Sequence, residues 1–399
     1  LKPFWLKLLY SRRLSQRLGR RMAPRSEHGH VAKARSRKNF KGKPRACPEP
    51  CVEILGFPGR FGNWVTQLGT AFVYAKAIHA AGVKLPNLDS SLLVMPLGTV
   101  QDMGGNGSQG IPELQRGCPN WTKKSGGNFI VDWKLECPLA TAAHYHAALQ
   151  DHVRPMFSKR LEGCLSSRRP HVDDGLLTIH LRGEDVFLIP SHGAGPHPPP
   201  RSKAQSRAPE HPPYTWQQPP CAMYQKVIAE QGFKRVLVVT TPDRLNPCVS
   251  WLELQYRGHK EVSVTVHTGS LLEDVCTLIS ARNLFIAQSS FSQVAALLST
   301  EARRVYYRDD SAYNVGKGAY ATNWLFRWNE PCEAWPGVAT FKLLANFSPG
   351  ERPWIPAGYN DTAEDVRRFL LEFPAEGVAS PACKTWADGS AEDRPEAGS

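Results

Sequence analysis

Several signatures are missing from the 399-residue chain. There is no D-x-D, which argues against a metal-dependent transferase of the GT-A kind. Neither G-x-x-x-x-G-K-[ST] nor H-E-x-x-H occurs, which removes simple kinase and metalloprotease readings. The ten cysteines are scattered with no C-x-x-C spacing, so a zinc site is not expected. No apolar run approaches the roughly 20 residues of a membrane-spanning helix; Leu1–Tyr10 is shorter and carries two lysines. The chain starts at Leu1, which leaves room for an upstream anchor or signal, and membrane association is expected through that end. Acidic residues are nearly absent from residues 1–46, where Glu27 faces 15 Lys and Arg.

That last imbalance decides how the net charge of +13 is read. The other 353 residues carry 34 basic against 35 acidic groups, so basicity belongs to the tail and not to the fold. A solvated, disordered tail over 1–46 is expected, with a membrane surface or another anionic partner as the alternative. Nucleic acid is not expected as a partner of the fold. With 41% hydrophobic residues and 11 tryptophans the remainder has the composition of a globular protein, long enough for two domains. Cys47 and Cys51 form a C-x-x-x-C that suits a local disulfide at the start of the fold. Glycosylation sequons stand at Asn106, Asn120, Asn346 and Asn360, the third weakened by Pro349. Sequons and an even cysteine count lean toward a secretory compartment.

Periodicity divides the chain. Val52–Phe57 reads as a strand, P-G-R-F-G-N as a turn, and apolar residues recur at helical spacing from Trp64 to Ala81. Residues 99–130 read as loop, and His144–Leu165 as one helix closing a first domain over 47–168. Strands are expected at Leu176–Leu181, Arg235–Thr241, Val262–His267, Leu284–Gln288 and Arg303–Tyr307. Helices are expected between them at Ala222–Gln231, Cys248–Tyr256, Leu271–Ala281 and Phe291–Leu298. Such alternation implies βαβ units and a parallel sheet, hence an α/β second domain over 169–374. It is interrupted by a Pro-rich loop at 190–213. Thr362–Phe373 reads as a capped helix, and 375–399 as a disordered tail.

The segment T-I-H-L-R-G-E-D-V-F at 178–187 carries the most chemistry. An apolar run delivers His180 and Arg182 to the end of a buried strand, where open parallel sheets bind ligands. A buried guanidinium needs an anionic partner, and a phosphate suits its forked donors. The alternative is a structural pair with Asp185 or Glu184. His180 reads as a packed, hydrogen-bonded strand residue rather than a proton carrier. Ser289, Ser290 and Ser292 lie at a strand-to-helix junction, where hydroxyls and free amides bind anions, cap the helix, or do both. Thr241 and Asp243 end a strand, where they contact a nucleotide or turn the chain ahead of Asn246-Pro247. Gly59 and Gly62 permit a tight turn. Asn63 and Gln67, one helical turn apart, either bind substrate hydroxyls or tie down the helix start, and Arg60 is a phosphate or acceptor candidate.

Three segments, in order, resemble the α1,2/α1,6/O-fucosyltransferase superfamily. G-R-F-G-N-W-V-T-Q-L at 59–68 is similar to its G-x-x-G-N-x-x-x-Q segment. H-L-R-G-E-D-V-F at 180–187, followed by H-P-P-Y-T-W-Q-Q-P-P at 211–220, is similar to its H-x-R-x-G-D phosphate motif. I-A-Q-S-S-F-S-Q-V-A-A-L-L-S at 286–299 is similar to its S-S-F-S-x-x-A-A segment. The resemblance covers residues 50–310 and implies a GT-B-like fold, two Rossmann-like domains with parallel sheets facing a cleft. It implies an inverting, metal-independent glycosyltransferase with no cofactor, GDP-fucose as donor substrate, a glycan or glycoprotein acceptor, and the secretory pathway, the Golgi lumen in particular. Donor contacts would come from His180, Arg182, Asp243, Asp274, Ser289, Ser290 and Phe291, and acceptor or cleft contacts from Arg60, Asn63 and Gln67. Asp274 would touch base or ribose, although an acid near a helix start also answers the macrodipole. Arg182 would stabilise the leaving diphosphate, with Asp185 and Glu184 as the first candidates for general base. Glu184 stands where the family pattern has Gly. A catalytically inactive module that binds glycan or nucleotide is therefore the second reading, and a protein acting through its basic tail the third.

Overall fold

The computed structural model describes residues 47, 49–57, 60–95, 100–103, 129–130, 140–168, 173–183, 218–287, 289–308, 333–335, 337–343 and 363–378. The basic tail, the four sequons, the Pro-rich loop, Glu184 and Asp185 lie outside the described residues. The described elements begin with β1 (Cys51–Glu53), α1 (Phe61–Ala77), β2 (Gly82–Lys84), a short hairpin β3 (Leu88–Asp89) and β4 (Val94–Met95), β5 (Val100–Asp102) and β6 (Phe129–Ile130). They form a small sheet in the order β5-β2-β1-β6, with β2, β1 and β6 parallel and β5 antiparallel at the edge. Its chain start is pinned by the Cys47–Cys51 disulfide, as the spacing suggested. Residues 99–130 are thus not loop throughout: β5 and β6 fall inside them.

The helix expected over His144–Leu165 is broken instead into α2 (Ala142–Ala148), a π-turn (Leu149–Val153), a 3-10 turn (Arg154–Met156) and α3 (Lys159–Arg168). Pro155 explains the break, because it has no N–H to donate and its ring clashes with the preceding turn. Thr141 starts α2 with a capping box closed by the His144 ring. Ser158 supplies its hydroxyl to the Leu161 amide at the start of α3.

The larger sheet contains β7 (Leu176–Leu181), β8 (Arg235–Thr240), β9 (Ser263–His267), β10 (Asn283–Phe285), β11 (Arg304–Arg308), β12 (Glu333–Trp335) and β13 (Val338–Leu343). The intervening helices are α4 (Cys221–Glu230), α5 (Pro247–Gln255), α6 (Leu271–Ile279) and α7 (Ser290–Leu298), and α8 (Ala363–Glu372) follows the sheet. Strand order is β12-β13-β11-β10-β7-β8-β9, the last six parallel and β12 antiparallel. β7 is an interior strand buried from Leu177 to Leu181, which is why four of its six residues are Leu or Ile and apolar residues do not simply alternate with exposed polar ones. The chain lays down β7, β8 and β9 outward, then returns to the other flank of β7 as β10. The order therefore reverses between β7 and β10, and a ligand crevice forms outside the carboxyl ends of strands at such a reversal. The α/β architecture is the one expected from the sequence, with two largely parallel sheets and a cleft between the loops that end their strands.

α7 joins the two sheets. Its residues Ser292–Leu298 are buried, and one hydrophobic cluster runs from Val52, Leu68 and Phe72 to Val294, Leu297 and Val305. The last carbonyls of α7 have no intrahelical donors. They receive His146 Nδ1 at 2.8 Å and Gln150 Nε2 at 3.0 Å on Leu297 O, and Arg154 Nη1 at 3.3 Å on Leu298 O. A disulfide from Cys164 in α3 to Cys276 in α6 fastens the same boundary covalently, and a second, Cys221–Cys248, joins the starts of α4 and α5. Past α8 the chain makes a 3-10 turn at Ala375–Gly377 and buries Val378 against the core, so ordered structure extends beyond the expected boundary at 374.

Candidate active site at the strand-order reversal

The carboxyl ends of β7 and β10 carry the segments that the sequence marks as chemical. Arg182 and Gly183 follow β7, and Ser289 and Ser290 open α7 after β10. From the other sheet, Arg60 to Asn63 open α1 directly opposite. Together these residues line a cavity of about 510 Å³ whose remaining wall is His180, Val239–Pro242, Gly269, Leu271, Asp274 and Phe291.

The two helix starts touch. A Cβ on Gly62 would fall 2.6 Å from the Phe291 amide nitrogen and 2.7 Å from Ser290 Oγ, so only glycine admits this approach. Ser290 Oγ donates to Asn63 Oδ1 at 2.9 Å across the contact. Ser289 accepts from the Phe291 amide at 3.3 Å as a helix N-cap, and the fully buried Ser292 donates back to Ala287 O at 3.2 Å. The serine hydroxyls are therefore engaged in building the junction. What the junction presents to a ligand is backbone, since the first amides of a helix lack intrahelical acceptors and carry the positive end of its dipole. α1 starts at Arg60 with no side-chain cap and no acidic residue in its first turn, so nothing on the helix itself opposes an anion there.

His180 forms the floor. It is 7% exposed, packs on Phe291 with ring centroids 5.3 Å apart, and its Nδ1 has no partner among the described residues. Burial first, and the neighbouring Arg182 second, hold its pKa down at about 3, so the ring is neutral at physiological pH. Arg182 leaves the strand end partly buried, and its carbonyl accepts from Asn246 Nδ2 at 3.1 Å. Asp274, at the start of α6, accepts from the Gly269 amide at 3.2 Å and lies 3.4 Å from His267 Nε2.

Of the residues singled out from the sequence, Arg60, Asn63, His180, Arg182, Asp274, Ser289, Ser290 and Phe291 line this one cavity, although 214 positions separate Arg60 from Asp274. Gln67 is buried one turn further along α1, outside the lining. The Asp243 carboxylate is turned to its own loop, accepting from Thr241 Oγ1 at 2.7 Å and from the Leu245 amide at 3.0 Å. Pro242, Gly269 and Leu271 escaped sequence reasoning. Their only signal is position, just past the carboxyl ends of β8 and β9, and it becomes usable once the strand ends are known.

Fold and cavity together define the class, an α/β protein with an anion-suited site at the reversal of a parallel sheet. No protein-family model matches the chain, and no curated protein matches it. Among solved structures the chain is similar to fucosyltransferases. POFUT1 in complex with GDP has a TM-score of 0.36 and 11% identity, over 66% of this chain and 99% of that one. POFUT1 in complex with GDP-fucose has a TM-score of 0.37 and 10% identity over the same shares. An Arabidopsis thaliana FUT1 variant in complex with GDP has a TM-score of 0.35 and 10% identity, over 66% of this chain and 70% of that one.

Proposed function

We propose that this protein is an inverting, metal-independent glycosyltransferase that takes its sugar from a nucleoside-diphosphate donor, GDP-fucose, and passes it to a glycan or glycoprotein acceptor. The observation that carries the reading is the meeting of Arg182, neutral His180 and two opposed helix starts around one cavity at the strand-order reversal. The choice of donor sugar rests on the three sequence segments that resemble the fucosyltransferase superfamily. The diphosphate lies between Arg182 and the first amides of α7, with Asn63 and Arg60 closing over it from α1. Pro242 and the half-exposed Leu271 offer apolar surface to the base, and Asp274 accepts hydrogen bonds from base or ribose. The acceptor enters from the domain that holds α1. Its hydroxyl attacks the anomeric carbon on the face opposite the diphosphate, the carbon–oxygen bond to phosphate breaks, and negative charge grows beside Arg182. Fixed cationic and amide donors aimed at developing charge are commonly the largest catalytic contribution. Asp185 or Glu184 takes the acceptor proton. The disulfides suit a secretory lumen. Among the described residues no helix is long and apolar enough to cross a membrane.

The test is a calorimetric and thermal-shift titration of the protein with GDP, UDP and CDP. Selective GDP binding is expected, raising the melting temperature with ligand excess. Arg182→Lys should weaken it at least tenfold, because a point charge replaces a bidentate fork. Binding of no nucleotide, or of all three alike and independently of Arg182, refutes the reading.

A further inference from the structure

Arg182 is held by a device outside the cavity. Asn246 is 1% exposed and uses both ends of its side-chain amide. Its Oδ1 accepts from the Cys248 amide at 3.0 Å, capping α5, while its Nδ2 donates to the Arg182 carbonyl at 3.1 Å. The two bonds fix the amide's orientation, since a flipped side chain would set oxygen against oxygen and N–H against N–H. Next to this bond the chain has no room for a side chain. A Cβ on Gly183 would fall 2.1 Å from Thr241 Oγ1 and 2.8 Å from Asp243 Oδ1, the pair that bonds within the turn. Cys248, whose amide is capped, is also tied to Cys221 by a disulfide. The turn from Thr241 to Asn246 is thus anchored to α5 at one end and grips the Arg182–Gly183 backbone at the other.

We infer that Asn246 is a positioning residue for Arg182, and that the Thr241–Asn246 turn is the support that aims its guanidinium at the phosphates of the donor. The inference deepens the proposed function and rests on its assignment of Arg182. Asp243 belongs to this support, its carboxylate holding the turn against Gly183. A guanidinium is a fork with fixed geometry, and displacing such a group by about 1 Å costs on the order of a hundredfold in rate. A backbone free to rotate at Arg182 would allow that displacement.

The experiment uses the full chain and GDP as probe, comparing wild type, Asn246→Ser, Arg182→Ala and the double variant. Serine keeps an N-cap oxygen for the Cys248 amide but lacks the second polar atom that Asn246 extends to the Arg182 carbonyl. Asn246→Ser should weaken GDP binding about tenfold while the ligand-free melting temperature stays near that of wild type. In the Arg182→Ala background the same change should cost less than twofold, because residues acting through one another are non-additive. Asn246→Ser binding GDP like wild type, or weakening it equally in both backgrounds, overturns the inference. A normal GDP affinity in Arg182→Ala alone removes the assignment of Arg182 and takes this inference with it. If Asn246→Ser does not fold, Asn246→Asp serves in the same cycle, since it keeps the isosteric cap and still lacks the donor.

Discussion

Two glycines separate packing from propensity, and substituting each by alanine should move stability in opposite directions. Gly62 lies in the first turn of α1, where an added Cβ meets Phe291 N at 2.6 Å and Ser290 C at 2.8 Å. Both atoms are backbone, so no rotamer change relieves the overlap. The start of α7 must retreat until these separations reach the 3.4 Å of ordinary contact. Overpacking of that kind costs about 1–3 kcal/mol. The retreat also stretches the 2.9 Å bond from Ser290 to Asn63. Gly163 is exposed in α3 with nothing within 4 Å of an added Cβ. There alanine removes backbone freedom from the unfolded chain and should stabilise by up to about 1 kcal/mol. Urea unfolding of Gly62→Ala and Gly163→Ala, with a GDP titration of each, reads the contrast. Gly62→Ala should be the less stable and should bind GDP about tenfold more weakly through its displaced helix starts. Gly163→Ala should be at least as stable as wild type with unchanged affinity. A Gly62→Ala protein as stable as wild type would refute the claim that the two helix starts are in contact.

Replacing Cys164 and Cys276 by serine opens a loop of sequence separation 112. On chain entropy alone this should cost up to about 4.7 kcal/mol, seen as a lower melting temperature that reductant no longer shifts at that site. His180 makes stability depend on pH. Its pKa is 6.5 unfolded and about 3 folded, so between those values the unfolded chain binds more protons and stability falls as pH falls. The slope from this group should approach about 1.4 kcal/mol per pH unit below pH 6. His180→Gln should flatten it, read from denaturant unfolding at pH 5 and pH 7; an equal slope in the variant counts against the neutral buried ring. His146 and His152 are also held low, chiefly by burial, and add to the same trend.

The larger sheet was legible because its strands and helices differ in period. β7, β8 and α7 each bury a run of apolar residues of the right length. The expected strands there were all found, four of them within one residue of their boundaries and the fourth in order ending at Phe285 instead of Gln288. The elements that were missed bury little of their own. β2, β5 and β6 are two or three residues long and gain their place by pairing, β2 and β6 with β1 and β5 with β2. β12 and β13 follow a long stretch without helical or strand punctuation. The π-turn at Leu149–Val153 lies inside a sequence that remains helical in period, so Pro155 was the one local sign of a break. At the site, Arg182 and the serine cluster were readable because both follow apolar strands. The contact of Gly62 with Ser290 was not, because it joins residues 228 positions apart and depends on how two helices cross. Asn246 was legible only by half: its capping role follows from Pro247, whereas its bond to the Arg182 carbonyl is tertiary.

The charge state of the cavity follows from the same arrangement. Burial and Arg182 both disfavour a proton on His180, so the two effects reinforce one another. A base with a pKa of about 3 has little driving force to take a proton from a sugar hydroxyl near neutral pH. His180 is therefore suited to a neutral hydrogen bond through a ring nitrogen that has no protein partner among the described residues. Positive potential is left to Arg60, Arg182 and the amides that open α1 and α7. The Arg182 carbonyl is held by Asn246, and the two helix starts meet at Gly62. On the proposed function, groups held in this way would not need to reorganise as negative charge develops, and such prior ordering is what gives electrostatic stabilisation its size.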